Sequence, residues 1–230
     1  MKQQHILLFF ISLFVSVTIN AQQKKDTVKR KESYGIRVGV DLSKPIISFM
    51  EEDTKGLEVV GDMRILNNYY AAVELGFEDK ISKEDYMNFT TKGTYLKAGV
   101  NYNAYKNWKG MNNEIYVGVR YGFSLFNQTL NSYTPNVKGT YFIPTEVLPD
   151  TEFKDLSAHW AELVFGIKAE TFKNLYLGFS FSFKTMISTK EPDNFKNLYV
   201  PGFNRVYLND TGFGINYTLS YLIPIIKKEK

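Results

Sequence analysis

Apolar and polar residues alternate with a period of two along most of the chain, the pattern of strands with one apolar and one polar face. The clearest stretch runs from about Ser157 to Ser188. Ala161, Leu163, Phe165, Ile167 and Ala169 alternate there with Glu162, Val164, Gly166, Lys168 and Glu170. After a brief turn at Thr171, Phe172, Lys173 and Asn174, Leu175, Leu177, Phe179, Phe181 and Phe183 alternate with Tyr176, Gly178, Ser180, Ser182 and Lys184. Apolar faces of about ten residues are the length of tilted strands that cross a hydrocarbon layer.

Six further segments repeat the pattern, around 36–42, 57–65, 69–77, 96–104, 115–125 and 213–223. Pro45 ends the first, because a proline cannot donate to a strand ladder. Tight turns are expected near residues 67, 109 and 172, and larger loops near 51–55, 79–91, 127–157 and 189–210. Short connections at one end and long ones at the other suit a membrane barrel, and Trp108 is placed for an interface. The fold class expected is all-β, an eight-stranded antiparallel up-and-down transmembrane β-barrel. Alternation alone also allows a lipocalin-like carrier, in which the apolar series would line a cavity. Bulk favours the first reading: Leu, Phe and Tyr crowd one face, whereas Gly and Ser beside Arg, Glu and Lys make up the other.

Composition then sets the domain order. Lys2, the apolar run Ile6–Ile19 and the small residue Ala21 before Gln22 read as a secretory signal over 1–21. A charged leader follows at 22–33, the barrel at 34–226 and a basic tail at 227–230. Removing residues 1–21 takes away one lysine, so the formal charge falls from +4 to +3. With no cysteine among the 230 residues, disulfides and thiolate chemistry are excluded. The basic residues are scattered among acids, which speaks against nucleic acid as a partner.

With the polar series inward, the interior candidates are Arg37, Arg64, Lys97, Arg120, Lys168 and Lys184 against Asp41, Glu58, Asp62, Glu74, Glu78, Glu162 and Glu170. Near balance of sign lets most of them pair, as burial demands. Little points to catalysis. His159 has Ser157 and Asp155 close in sequence, but a triad must converge in space, and the expectation is a protein that is not an enzyme. No cofactor and no metal site is expected. The outer loops offer the binding candidates: Phe195, Tyr199, Phe203, Arg205 and Tyr207, since aromatics and arginine favour contact surfaces.

The eight segments, the signal ending INAQQ, and the repeats YVGVRYGFS and YLGFSFSFK resemble small outer-membrane β-barrel proteins of the kind common in Bacteroidota. That resemblance implies residence in the cell outer membrane, contact with its lipid and lipopolysaccharide, and assembly by the barrel-insertion machinery. The last strand, GFGINYTLSYLI, looks like the terminal assembly signal, although it continues into IIKKEK. The resemblance also implies an envelope structural or loop-mediated binding role, with an extracellular protein or glycan reached through loops 127–157 and 189–210. A lipid-modifying enzyme of the outer membrane is the third reading.

Overall fold

A computed structural model describes residues 31–107, 112–135, 146–192 and 196–229, with side chains described from residue 35 to residue 225. The signal, most of the leader, Trp108 and Phe195 lie outside the described residues. Eight long strands run antiparallel: β1 (Lys31–Asp41), β2 (Thr54–Arg64), β3 (Tyr69–Glu84), β4 (Met87–Asn103), β5 (Glu114–Tyr133), β6 (Thr151–Phe172), β7 (Leu175–Thr189) and β10 (Thr211–Glu229). They form a closed barrel in the order β1-β10-β7-β6-β5-β4-β3-β2. A small hairpin, β8 (Tyr199–Val200) with β9 (Asn204–Arg205), and a helix α1 (Ser43–Met50) belong to the connections at the end opposite the tight turns.

Registers follow from the alternation. Leu163 of β6 lies opposite Val119 of β5 and Phe183 of β7, and Phe183 opposite Phe213 of β10, so apolar residues share one face across four strands. That face is the outer one: Val119 is 59% exposed, Ile167 53% and Ile215 61%. The inner face holds Arg37, Glu58, Lys97 and Arg120, all buried. An apolar cavity of the lipocalin kind is thereby overturned, because charged side chains occupy the space it would need.

Three large interior rings fit because each lies over a glycine on the neighbouring strand. Tyr95 pairs with Gly76, Trp160 with Gly122 and Tyr116 with Gly166. A Cβ added at Gly122 would meet the Trp160 indole at 2.0 Å, and one at Gly76 or Gly166 would meet a tyrosine ring at 2.4 Å. Covering a strand glycine with a cross-strand ring is a known device for curved sheets.

Three details correct the expected boundaries. Residues 79–91 are not a loop: β3 and β4 run on to Glu84 and Met87 and leave just Asp85 and Tyr86 between them. β5 and β6 likewise take up 127–133 and 151–157 of the presumed long loop. The wall is also not continuous to its upper rim. β1 stops at Asp41, while β2 begins at Thr54 and β10 at Thr211, so Thr54–Leu57 and Thr211–Asn216 extend past it and face one another across a gap. The eight-stranded up-and-down barrel that was expected is therefore corrected to one notched at the loop end.

The sheet edges at the notch are satisfied by side chains, as buried backbone groups require. The Asp41 carboxylate accepts from the Tyr217 N–H at 3.0 Å and from Asn216 Nδ2 at 2.7 Å. It also accepts from the Ser43 N–H at 3.0 Å, holding the start of α1. Pro45 suits the first turn of a helix, where its missing N–H costs nothing. Across the notch, the Gly56 N–H of β2 donates to Ser48 Oγ on α1 at 3.0 Å, and Asn204 Nδ2 donates to the Phe213 carbonyl at 3.2 Å.

Candidate functional site: a charged and aromatic barrel interior

The interior is built in three tiers. Nearest the tight turns, Arg37 of β1 reaches Asp62 of β2 at 2.6 Å and Glu114 of β5 at 2.6 Å. Its guanidinium also lies over the rings of Tyr70 and Tyr176, at 4.9 and 5.1 Å from their centroids. Lys168 of β6 crosses the lumen to the other oxygen of Asp62. Arginine suits the centre of this tier because its planar fork takes two carboxylates while its faces stack on rings.

In the middle tier Lys97 bridges two carboxylates, Glu58 at 3.0 Å and Glu74 at 2.6 Å. Arg120 also pairs with Glu74, at 3.2 Å, whereas Tyr95 Oη and Asn216 Nδ2 donate to Glu58 at 2.6 and 3.0 Å. Both carboxylates are thus saturated with donors, the condition for burying charge at tolerable cost. Between the first two tiers, Glu58, Asp62, Glu74, Arg120 and Lys168 border a void of about 30 Å³. That is room for a water molecule or so.

The third tier closes the loop end. Glu78 accepts from Lys44 of α1, from Tyr199 Oη at 2.7 Å and from the Gly202 N–H at 3.2 Å. Lys184 donates to the Gly202 carbonyl at 2.7 Å and lies 3.7 Å from Glu162, which accepts from Trp160 Nε1 at 2.7 Å. Above these sits an apolar cluster of Tyr95, Phe126, Leu156, Ala158, Trp160, Val200 and Phe203, with the Trp160 and Phe203 rings edge to face at 5.9 Å. Gly202 is required twice over: its φ is +80°, and a Cβ there would meet the Tyr95 ring at 2.5 Å.

Two groups in this lid, Lys44 and Tyr199, are held away from their ordinary protonation behaviour. Burial pushes the Lys44 ammonium down, but the Glu78 and Glu58 carboxylates outweigh it, and its pKa stands above the usual lysine value. Burial first, and then the Glu78 carboxylate, push the Tyr199 phenol well up.

Of the interior candidates, Arg37, Asp41, Glu58, Asp62, Glu74, Glu78, Lys97, Arg120, Glu162, Lys168 and Lys184 all meet in these tiers or at the notch. Arg64 and Glu170 do not. Arg64 folds back on the turn, its Nε donating to the Leu66 carbonyl at 3.3 Å, and Glu170 accepts from Asn112 Nδ2 and the Asn174 N–H. Glu114 and Lys44 take their places inside. The loop candidates divide as well. Tyr199 and Phe203 are buried within the barrel mouth, so a binding surface that presents them outward is overturned. Arg205 pairs with Glu84 at 3.1 Å and Tyr207 packs on Phe213. His159 sits on the outer face, bonded through Nδ1 to Tyr121 Oη at 2.8 Å and packed on Phe123.

A model of a domain of unknown function, DUF6048, matches residues 1–228. The chain belongs to that family. No curated protein and no solved structure matches it. Membership in the family replaces the resemblance to characterised envelope barrels. The expectations that hung on that resemblance, namely the outer membrane as the location, lipopolysaccharide contact and the insertion machinery, have no finding behind them and fall with it. Among the described residues no group of three or more His, Cys, Asp or Glu could hold a metal ion.

Proposed function

We propose that this family member is a sealed, non-catalytic scaffold whose apolar girdle is immersed in a lipid bilayer. The observation that carries the reading is the inverted polarity of the barrel. Large apolar side chains stand outward on every long strand, among them Val38, Val59, Leu75, Leu96, Val119, Phe165, Phe181 and Ile223, each from 39% to 59% exposed. Water-soluble proteins rarely expose contiguous apolar patches beyond a few hundred Å², and this belt circles the barrel. Tyr69 and Tyr102 pack at 5.2 Å at the turn end, a placement suited to a membrane interface. A conducting pore is disfavoured, because ion pairs and rings fill the lumen.

The girdle is tested by placing one arginine on it. Val119→Arg, 59% exposed in the parent, is expected to destabilise the vesicle-embedded barrel by about 2–4 kcal/mol, the depth-dependent cost of a cation on the lipid face of a barrel. The readout is the urea midpoint of unfolding from phosphatidylcholine vesicles. A change within about 0.5 kcal/mol, normal for a water-exposed site, together with recovery of the parent in buffer without detergent, overturns the proposal.

A further inference from the structure

Helix α1 lies at the notch with its polarity reversed. Lys44 and Ser48, four residues apart and therefore on one face, point into the barrel: Lys44 pairs with Glu78, and Ser48 Oγ accepts from the Gly56 N–H at 3.0 Å. Ile46, Phe49 and Met50 share the opposite face at helical spacing and are 50%, 96% and 80% exposed. A surface helix of a water-soluble protein turns its apolar stripe to the core and its polar residues to solvent. α1 does the reverse, as the barrel wall does.

Its height also matches the girdle. The N–H of Leu42, just ahead of α1, donates at 2.7 Å to the carbonyl of Tyr217, an outward girdle residue of β10. Ser48 meets Gly56 beside Leu57, which faces outward on β2. Ile47, on the flank of the helix, lines the same cleft as Phe181, Phe213 and Ile215 of the girdle. Immediately after Met50 the exposed Glu51 and Glu52 end the apolar stripe.

We infer that α1 is an in-plane membrane helix that carries the girdle across the notch, with Ile46, Phe49 and Met50 at the boundary of head groups and acyl chains and Glu51 and Glu52 in water. The inference rests on the bilayer reading above, and the partner of this face is lipid. An amphipathic helix whose apolar side chains enter the head-group and acyl boundary lies parallel to the membrane surface. A sheet edge left open to lipid is costly, and here Ser48 of the helix satisfies the Gly56 N–H at the edge of β2.

Because the chain has no cysteine, a single introduced cysteine carries a single label. Phe49→Cys, Val119→Cys and Lys83→Cys of the full chain, each alkylated with an environment-sensitive fluorophore, are placed in phosphatidylcholine vesicles that contain a nitroxide lipid. The nitroxide sits near the head group in one set of vesicles and near the end of the acyl chain in the other. All three side chains are exposed, so the labels displace no packed group. The label at 49 is expected to be quenched about twofold more by the head-group nitroxide than by the chain-end one, the shallow depth of an interfacial helix. The label at 119 should show the opposite order, and the label at 83 should not be quenched. A label at 49 that behaves like the one at 83, or that follows the order seen at 119, overturns the in-plane helix and leaves the bilayer reading standing. No quenching at 119 overturns both.

Discussion

Lys97→Met is the substitution whose cost the interior predicts most specifically. It keeps the length of the side chain and removes a charge that is 97% shielded from solvent, the side chain being 3% exposed. Two carboxylates lose a partner, but unequally. Glu74 retains Arg120 at 3.2 Å, whereas Glu58 keeps neutral donors alone, Tyr95 Oη and Asn216 Nδ2. Removing one member of a buried pair costs about 3–5 kcal/mol, chiefly through the charge left behind. Nearly all of that cost should therefore sit on Glu58. The double variant Lys97→Met with Glu58→Gln is expected to recover most of the loss, to within about 1–2 kcal/mol of the parent, because a neutral amide still accepts from Tyr95. The companion Lys97→Met with Glu74→Gln should recover little, since it also strips Arg120 of its carboxylate. Urea titration in vesicles, followed by tryptophan fluorescence, reads all four proteins. A single variant that loses less than about 1 kcal/mol, or equal rescue by the two second substitutions, would refute this division of charge, as neighbouring sites are expected to couple.

Gly122→Val drives a branched side chain into the Trp160 indole, 2.0 Å from the nearest ring atom to the added Cβ; a loss of about 1–3 kcal/mol from overpacking is expected, and parent-like unfolding would show that the ring is free to move. Phe203→Ala empties a fully buried site beneath the lid. It should cost about 3–5 kcal/mol if the lid unfolds with the wall, measured by urea titration, and parent-like stability would detach the lid from the barrel's cooperative unit. Alkaline pH acts on the same lid. Lys44 and Tyr199 have folded pKa values above those of an ordinary lysine and tyrosine. Their stabilising contribution is therefore full below about pH 10 and lost as pH rises through the folded values. Protease nicking between β7 and β10 should accelerate above about pH 10, and Tyr199→Phe should remove part of that acceleration.

The period of two made the inner and outer faces legible, because a one-residue slip would exchange every side chain between them. It failed where neither face is apolar. Above the girdle, Lys80, Ser82 and Lys83 of β3 meet Thr91, Phe89 and Asn88 of β4, so the alternation vanishes although the ladder continues, and the stretch reads as a loop. Lys44 was hidden for a different reason: it precedes Pro45 in a helical turn, where no strand period predicts the direction of a side chain. Glu114 opens β5 directly after a connection, so its inward position depends on Asn103 and Ile115 fixing the register. The aromatic loop 197–206 carries the composition of a contact surface, and it does make contacts, but with its own barrel. Composition records that rings will be covered; it does not record by what.

The rings laid over glycines also say something about the order of assembly. Gly76 and Tyr95 belong to adjacent strands β3 and β4, and Gly122 with Trp160 and Tyr116 with Gly166 belong to β5 and β6. Each of these locks can close inside a single hairpin, where loop-closure entropy is small. Arg37 with Glu114, and Lys168 with Asp62, instead join strands far apart in the chain and opposite in the lumen. Steric locking thus belongs to early, local pairing, together with the neighbouring-strand ion pairs Arg37–Asp62, Lys97–Glu74 and Lys184–Glu162, and the ion pairs across the lumen to the last step, when the two halves of the sheet curl together. Until then the partners that meet across the lumen can remain hydrated, and the chain is spared unpaired ions in an apolar setting during its assembly.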